Sequence, residues 1–209
     1  MTTASDRRLR ADAVRNVGRI LRAASRVYAE RGPDAPLDEV ARFAGVGART
    51  LYRHFPTKEH LVRAALDFCV VEDLTPAIEK ALAEDDPRRG LQNLMEASLR
   101  LSAREFNLLA AARSVGALPV ESAQRFYDSL NELVCRAQRS GQIRDDLVAE
   151  DLPRIMAMMF GVVSTLGPGT DGWQRYLAII LEGLASDPTI PLPPPAKQIE
   201  LPRRGSWPM

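Results

Sequence analysis

The chain has 209 residues, of which 45% are hydrophobic and 26% are charged, and this composition excludes intrinsic disorder for most of it. A formal net charge of only +1 identifies no partner by itself. No apolar stretch reaches the roughly 18 residues that a membrane-spanning helix needs. The charged N-terminus lacks the apolar segment of a secretory signal, and we therefore expect a cytoplasmic protein with no membrane partner.

The charges are unevenly distributed along the chain. Residues 1–60 contain 12 Lys and Arg against 7 Asp and Glu, a balance of +5, whereas the rest of the chain carries −4. The N-terminal quarter is therefore the candidate for a polyanionic partner. Charge alone does not separate this interpretation from an ordinary solvated basic face, so the decision depends on sequence motifs.

The first 60 residues show three segments with helical periodicity. Larger apolar side chains recur at the spacing of one helix face, and glycine or proline ends each segment. We predict helices at about 12–31, 37–44 and 48–55. Residues 1–11 are predicted to form a flexible basic arm ahead of this three-helix domain at residues 12–60.

The remainder of the chain is also predicted to be helical. Thr57 can cap a long connecting helix, and Thr75-Pro76 and Asp86-Pro87 each place proline at the first helical position. Further helices are predicted at about 87–103, 104–115, 120–140, 151–166 and 172–185. With no strand pattern anywhere, the fold class is all-α with about nine helices. A second helical domain would span residues 61–186.

The C-terminal residues 187–209 are predicted to form an extended or disordered tail. They contain seven prolines in 23 residues, and such a composition does not build a packed core. The segment Pro191-Leu192-Pro193-Pro194 also matches a PxxP ligand, a motif so short that a solvated tail is the favoured interpretation.

Residues 37–55 meet the physical requirements of a helix-turn-helix. Ala41 is small enough for a second helix to cross closely, and Gly45 can adopt the positive φ that ends the first helix. Val40, Val46 and Leu51 supply a small shared core. The second helix then exposes polar side chains around Leu51 that can reach base edges and phosphates in a major groove. We predict that it is the recognition helix.

The run LDEVARFAGVGARTLYRHFPTKEHLV, preceded by an amphipathic helix that ends in YAERG, resembles the DNA-binding domain of the TetR family of transcriptional regulators. The resemblance covers about residues 12–62. It implies a DNA-binding domain at residues 12–60 and a regulatory, ligand-binding and dimerisation domain at residues 61–186. It also implies a homodimer that binds a palindromic operator on double-stranded DNA until a small-molecule effector enters the C-terminal domain. A cavity among the fourth to seventh helices is also implied, with no particular lining residue and no cofactor.

The resemblance also implies roles for individual residues. Phosphate contacts fall on Thr50, Tyr52, His54 and Lys58, and base contacts fall on Ala48, Arg49 and Arg53. Gly47 stands where serine is more frequent in the family, although glycine is itself an acceptable helix cap. Pro36-Leu37-Asp38 lacks the threonine that often meets a phosphate, which puts DNA contacts from the first helix of the motif in doubt.

Two apolar stripes near the C-terminus predict a dimer interface. Each recurs at alternating three- and four-residue spacing, and flanking apolar residues such as Met158 exceed what one neighbouring helix would cover. Small Gly161 and Gly183 would allow helices to cross closely. A four-helix dimer interface with a two-fold axis would match a palindromic DNA site. The stripes consist of Leu152, Ile155, Met159, Val162, Leu166, Trp173, Leu177, Ile180 and Leu184.

The C-terminal half contains no recognised catalytic motif, so we do not expect an enzyme. Cys69 and Cys135 lie in apolar helical settings typical of inert core thiols. His54 and His60 are separated by a proline break and lack further ligands, so no metal site is predicted. Ligand-responsive repression is the favoured function. The alternatives are a DNA-binding adaptor controlled by a protein partner, and a helical enzyme or carrier that retains a vestigial helix-turn-helix.

Overall fold

The computed structural model describes residues 4–117, 121–188 and 190–195, with side-chain surroundings from Arg15 onward except at residues 121–123. Helices form nearly all of the regular structure in these ranges. A single isolated antiparallel bridge, between Ile143 and Ala185, is the one strand-like pairing there. The all-α fold class predicted from the sequence is confirmed.

Ten α-helices occur within the described ranges, close to the predicted number of about nine. A π turn at Val70–Leu74 joins the fourth helix to the fifth. The helices are α1 Ala4–Arg31, α2 Leu37–Ala44, α3 Ala48–His54, α4 Lys58–Cys69, α5 Thr75–Leu82, α6 Pro87–Arg104, α7 Phe106–Ser114, α8 Glu121–Arg139, α9 Asp151–Leu166 and α10 Trp173–Gly183.

The chain divides into two compact units. The first comprises the described residues up to Cys69 and those from Asn107 to Ala117, and the second comprises Val70–Phe106 and the described residues from Glu121 onward. The first unit extends beyond residue 60 because α4 packs on α1 and buries Leu61 completely. The predicted division of function between the two parts of the chain stays a prediction.

Two helix starts differ from the sequence expectation. Helix α1 begins at Ala4, so residues 4–11 of the predicted flexible arm are helical. No glycine or proline precedes Gly18, and alanine, arginine and leucine favour helix. Helix α5 begins at Thr75 without a side-chain cap, because the π turn leads directly into it. Pro76 lacks the N–H that an α-helical bond to the Glu72 carbonyl would need.

Two other predicted helix starts are capped as expected. Thr57 Oγ1 accepts a hydrogen bond from the backbone N–H of His60 at 3.3 Å, at the start of α4. Asp86 Oδ1 accepts hydrogen bonds from the backbone N–H groups of Arg88 and Arg89 at 3.0 and 3.3 Å. Side-chain caps satisfy N–H groups that a helix leaves unpaired at its first turn, so these two boundaries are set by local sequence.

The core of the second unit is built from apolar faces of α5, α6, α8, α9 and α10. It includes the bulky side chains of Leu94, Met95, Leu99 and Phe126. Tyr127 is partly buried against it, and burial raises the pKa of its phenol. This packing does not identify any residue that would line an effector-binding cavity.

The described part of the proline-rich tail is tied to the second unit. The Arg144 guanidinium donates to the Ile190 carbonyl at 2.9 Å, and the Leu192 N–H donates to the Asp146 carboxylate at 2.7 Å. Residues 190–195 are otherwise exposed and have no regular secondary structure, as predicted. The remaining tail residues, 189 and 196–209, lie outside the described ranges.

Candidate DNA-binding surface

The turn between α2 and α3 is formed by glycine geometry. Gly45 has φ 64°, ψ 37°, and its N–H donates to the Arg42 carbonyl at 3.1 Å. The Val46 N–H donates to the Ala41 carbonyl at 3.0 Å, which satisfies a second carbonyl at the end of α2. This left-handed ending redirects the chain, and an L-residue would be strained there. Gly47 then caps α3 in an extended conformation without a side chain.

The helix-turn-helix core matches the sequence expectation closely. Val40 and Leu51 are completely buried and Ala41 is nearly so, while Val46 is half-buried. A feature that sequence reasoning missed also supports the end of α2. Arg19 of α1 donates from Nη2 to the Ala44 carbonyl at 2.7 Å, where a cation complements the negative end of the helix dipole.

The burial of Leu51 turns the opposite side of α3 toward solvent. Four of the seven predicted DNA-contacting residues are exposed, namely Ala48, Arg49, Tyr52 and Arg53. The other three, Thr50, His54 and Lys58, are half-buried. All seven lie on α3 or in the first turn of α4, and so within the first compact unit.

Arg49 and Arg53 differ from Arg42 and Arg63 of the same unit. Neither forms a hydrogen bond or ion pair with any group in the described part of the chain. By contrast, Arg42 pairs with Glu39 at 3.0 Å, and Arg63 pairs with Glu59 at 3.1 Å. Two exposed guanidinium groups on one short helix are thus free to bind an anion or a base edge.

The Tyr52 hydroxyl is engaged by a neighbouring carboxylate. Partial desolvation first, and then the hydrogen bond and negative charge of Asp38, raise the pKa of the Tyr52 phenol above its ordinary value. The phenol is therefore protonated at neutral pH. Asp38 lies in the first turn of α2 and is exposed, and sequence reasoning noted it only as a departure from the family pattern.

Two of the other three candidate phosphate contacts, His54 and Lys58, also have neighbours in the first unit. Lys58 Nζ donates to the Pro33 carbonyl at 2.8 Å and lies 5.8 Å from the centre of the Tyr28 ring. The His54 ring lies 6.4 Å from that of Phe55, centre to centre. A phosphate would therefore compete with an existing partner for Lys58 but not for Arg49 or Arg53.

The predicted dimer stripes lie mainly on the core side of their helices. Six of the nine residues are buried within the chain, and three are half-buried. These six side chains pack within the chain, and their part in a dimer interface stays a prediction. The buried six are Leu152, Ile155, Met159, Trp173, Leu177 and Leu184, and the half-buried three are Val162, Leu166 and Ile180.

The same two helices expose a different apolar face. Met158 on α9 is 56% exposed, and Tyr176 and Ile179 on α10 are 44% and 57% exposed. A Cβ added at Gly161 or Gly183 would meet nothing within 4 Å among the described residues, so neither glycine is required for a close helix crossing there. Both leave room for another helix to approach from outside.

The two cysteines have different surroundings. Cys69 is buried, as predicted, but Cys135 is exposed, so its assignment as a core thiol is wrong. Leu133 and Val134 face the core, and Cys135 lies about 200° around the helix from Leu133, on the solvent side. No cluster of three potential metal ligands occurs among the described residues, and no helix there is long and apolar enough to cross a membrane.

Comparison with known proteins agrees with the geometry of the first unit. The model for bacterial regulatory proteins of the tetR family matches residues 20–65. A TetR transcriptional regulator from Streptomyces coelicolor is 32% identical, and the match covers 83% of this chain and 99% of that chain with a TM-score of 0.60. A TetR transcription regulatory protein from Mycobacterium vanbaalenii is also 32% identical, with coverage of 85% and 99% and a TM-score of 0.62.

A curated relative extends this likeness. The HTH-type transcriptional regulatory protein RaaS of Mycobacterium tuberculosis is 27% identical over 143 residues, which span 68% of this chain and 66% of the relative. These relatives are transcriptional regulators, not enzymes.

Proposed function

The chain belongs to the TetR family of bacterial regulatory proteins, and we propose that it is a homodimeric cytoplasmic repressor that leaves a palindromic operator when a small molecule binds its second unit. The observation that supports this most strongly is the pair of exposed, unpartnered guanidinium groups of Arg49 and Arg53 on α3. Guanidinium groups read guanine edges in the major groove, which accommodates a single α-helix.

We propose that the two protomers associate through the exposed face of α9 and α10. This face contains Met158, Tyr176 and Ile179, with small Gly161 and Gly183 beside them. A two-fold axis through such a face would present two copies of α3 to the two halves of a palindrome. The half-buried Val162, Leu166 and Ile180 could complete its edge, whereas the six buried stripe residues remain core.

Effector binding in the second unit has one supporting feature. Trp173 is completely buried in the core, and its indole Nε1 has no hydrogen-bond partner among the described residues. A buried donor without an acceptor costs about 1–3 kcal/mol. An apolar compound that carries one hydrogen-bond acceptor would remove this cost on binding. We propose that the effector is a compound of this kind. The effector would release the protein from DNA only to the extent that it binds the DNA-free conformation more tightly than the DNA-bound conformation.

Arg53→Ala tests the proposed base contact. The substitution should cost about 1–3 kcal/mol per contact and relax preference at one operator position in each half-site, because a bidentate arginine discriminates between bases. The measurement is binding to the DNA that flanks the coding region, followed by binding to single-base variants of the bound fragment. Arg63→Ala is the matched control, since Arg63 is paired with Glu59 on its own helix. An unchanged base preference would remove Arg53 from the recognition residues.

Lys58→Ala should weaken binding to all DNA sequences alike. A point charge on phosphate carries no base information, and its removal should reduce the log–log salt slope by about 1 per subunit. Salt titrations with operator and random duplexes measure both effects. If the slope stayed unchanged while the melting temperature fell, Lys58 would serve only to hold the Pro33 carbonyl.

A further inference from the structure

The direction of α3 depends on how the turn before it is held. This helix has seven residues, and Leu51 is the one side chain of the helix that is listed by burial as part of the core. A short helix with one buried anchor can tilt about that anchor unless its ends are fixed. Binding groups have to be held within about 0.5 Å of their working positions, so contacts at the turn decide how well α3 meets base edges.

The last carbonyl of α2 is held by a residue from another helix. The N–H groups of Gly45 and Val46 satisfy two earlier carbonyls of α2, and no backbone donor to the Ala44 carbonyl occurs within the described ranges. Arg19 of α1 supplies the donor, since its Nη2 lies 2.7 Å from the Ala44 oxygen. A helix leaves its last carbonyls without a partner of its own, so this bond fixes the end of α2 from outside.

The same guanidinium packs against the turn itself. A Cβ added to Gly45 would lie 2.9 Å from Arg19 Nη2, which is too close for an ordinary contact. Gly45 already has a φ of 64°, where a side chain would be strained, and the missing Cβ also leaves room for the guanidinium. Arg19 therefore binds one residue of the turn and packs closely against the next.

Another arginine of α1 makes a different kind of contact. Arg26 lies about two turns further along the helix, and its Cζ is 4.9 Å from the centre of the Phe43 ring. Phe43 is exposed, and its ring can move without moving the backbone. The Ala44 carbonyl, by contrast, is part of the backbone that leads into α3. Arg19 and Arg26 therefore carry the same charge on the same helix but hold different groups.

We propose that Arg19 is a positioning residue for operator recognition, which fixes the turn between α2 and α3 and thereby the placement of Arg49 and Arg53. This inference rests on the proposed function. Because its guanidinium is bonded to the Ala44 carbonyl, Arg19 acts through α3 and not through a phosphate contact of its own. Its loss should reduce preference for the operator and leave sequence-independent binding nearly unchanged, since that binding depends on phosphate contacts.

Arg19→Met tests this role, because methionine keeps an unbranched side chain but removes the charge and the donor. Fluorescence anisotropy measures binding of the full chain to a duplex from the DNA that flanks the coding region and to a random duplex of equal length, each at several salt concentrations. We expect the ratio of the two affinities to fall about tenfold for each half-site, which is the value of one bidentate base contact. The salt slope on the random duplex should stay the same.

Arg26→Met is the matched control. It removes the same charge from an exposed position of the same helix, and it should leave the ratio of affinities within about twofold of the wild type. Each variant is assayed well below its melting temperature, so that a loss of folded protein is not counted as a loss of preference. Arg19→Gln provides a second variant if Arg19→Met melts near the assay temperature, since its shorter, uncharged side chain ends before the Ala44 carbonyl.

Arg53→Ala in both backgrounds tests whether Arg19 acts through α3. If Arg19 places Arg53, removing Arg53 should cost less operator affinity in Arg19→Met than in the wild type, because its contact is already impaired. Two residues that act independently would give costs that add. A residue that only stabilises the fold would not change the cost of Arg53→Ala.

The outcomes separate this inference from the proposed function. If the wild type prefers the flanking duplex and the Arg19 variants keep that preference, or if the costs of Arg19→Met and Arg53→Ala add, the positioning role is overturned alone. It is also overturned if Arg19→Met weakens binding to both duplexes equally and lowers the salt slope by about 1 per subunit, since Arg19 would then contact phosphate. A wild type that binds neither duplex, or both alike, would overturn the proposed function and this inference together.

Discussion

Ile179→Asp is expected to produce a folded monomer that has lost operator binding. Ile179 is 57% exposed on α10, so a carboxylate there is solvated in the monomer and costs little stability. In the proposed dimer the same carboxylate would be buried without a partner at the two-fold interface. A monomer holds a single recognition helix, and losing the second should reduce affinity for the full operator by about 100-fold or more.

Sedimentation velocity and operator binding test this result on the same preparation. Gln174→Asp is the matched control, because it adds the same charge at an exposed polar position of α10 and should stay dimeric. If Ile179→Asp remained a dimer, or if it bound the full operator normally as a monomer, the exposed face of α9 and α10 would not be the interface that positions the recognition helices.

Met159→Asp is expected to unfold the second unit. Met159 is 1% exposed and belongs to the core cluster, so the substitution buries an unpaired charge. That change costs about 3–5 kcal/mol, a large share of a typical stability of about 5–15 kcal/mol. Chemical denaturation followed by circular dichroism measures the loss.

The neighbouring residue provides the matched comparison. Met158 is 56% exposed, so Met158→Asp should lower the denaturation midpoint far less than Met159→Asp, and only through the weakened dimer. Equal destabilisation by the two substitutions would contradict the assignment of one methionine to the core and the other to the surface.

The helix-turn-helix could be predicted from the sequence because its determinants are local. Gly45 fixes the turn, and the apolar spacing of Val40 and Leu51 fixes which sides of α2 and α3 pack together. Thr57 and Asp86 set helix starts through bonds to their own first turns. Each of these signals acts within a few residues of chain, where periodicity and capping chemistry are informative.

Features that depend on distant parts of the chain could not be predicted in the same way. Helical spacing shows that α9 has an apolar stripe, but it does not show whether Met159 faces its own core or a second protomer. The hydrogen bond from Arg19 to the Ala44 carbonyl depends on the packing of α1 against α2 and leaves no periodic signal. Cys135 lies only one residue from the apolar Val134, and only the rotation of α8 shows that it is exposed.

The most direct measurement of the central claim is a stoichiometric binding titration of the wild type on the DNA that flanks its coding region. We predict that two chains bind each palindromic site and that binding is lost when one half-site is randomised. We also predict that a small apolar compound releases the protein from this DNA and alters the fluorescence of Trp173. Binding that is indifferent to sequence, or that saturates at one chain per site with full affinity, would contradict it.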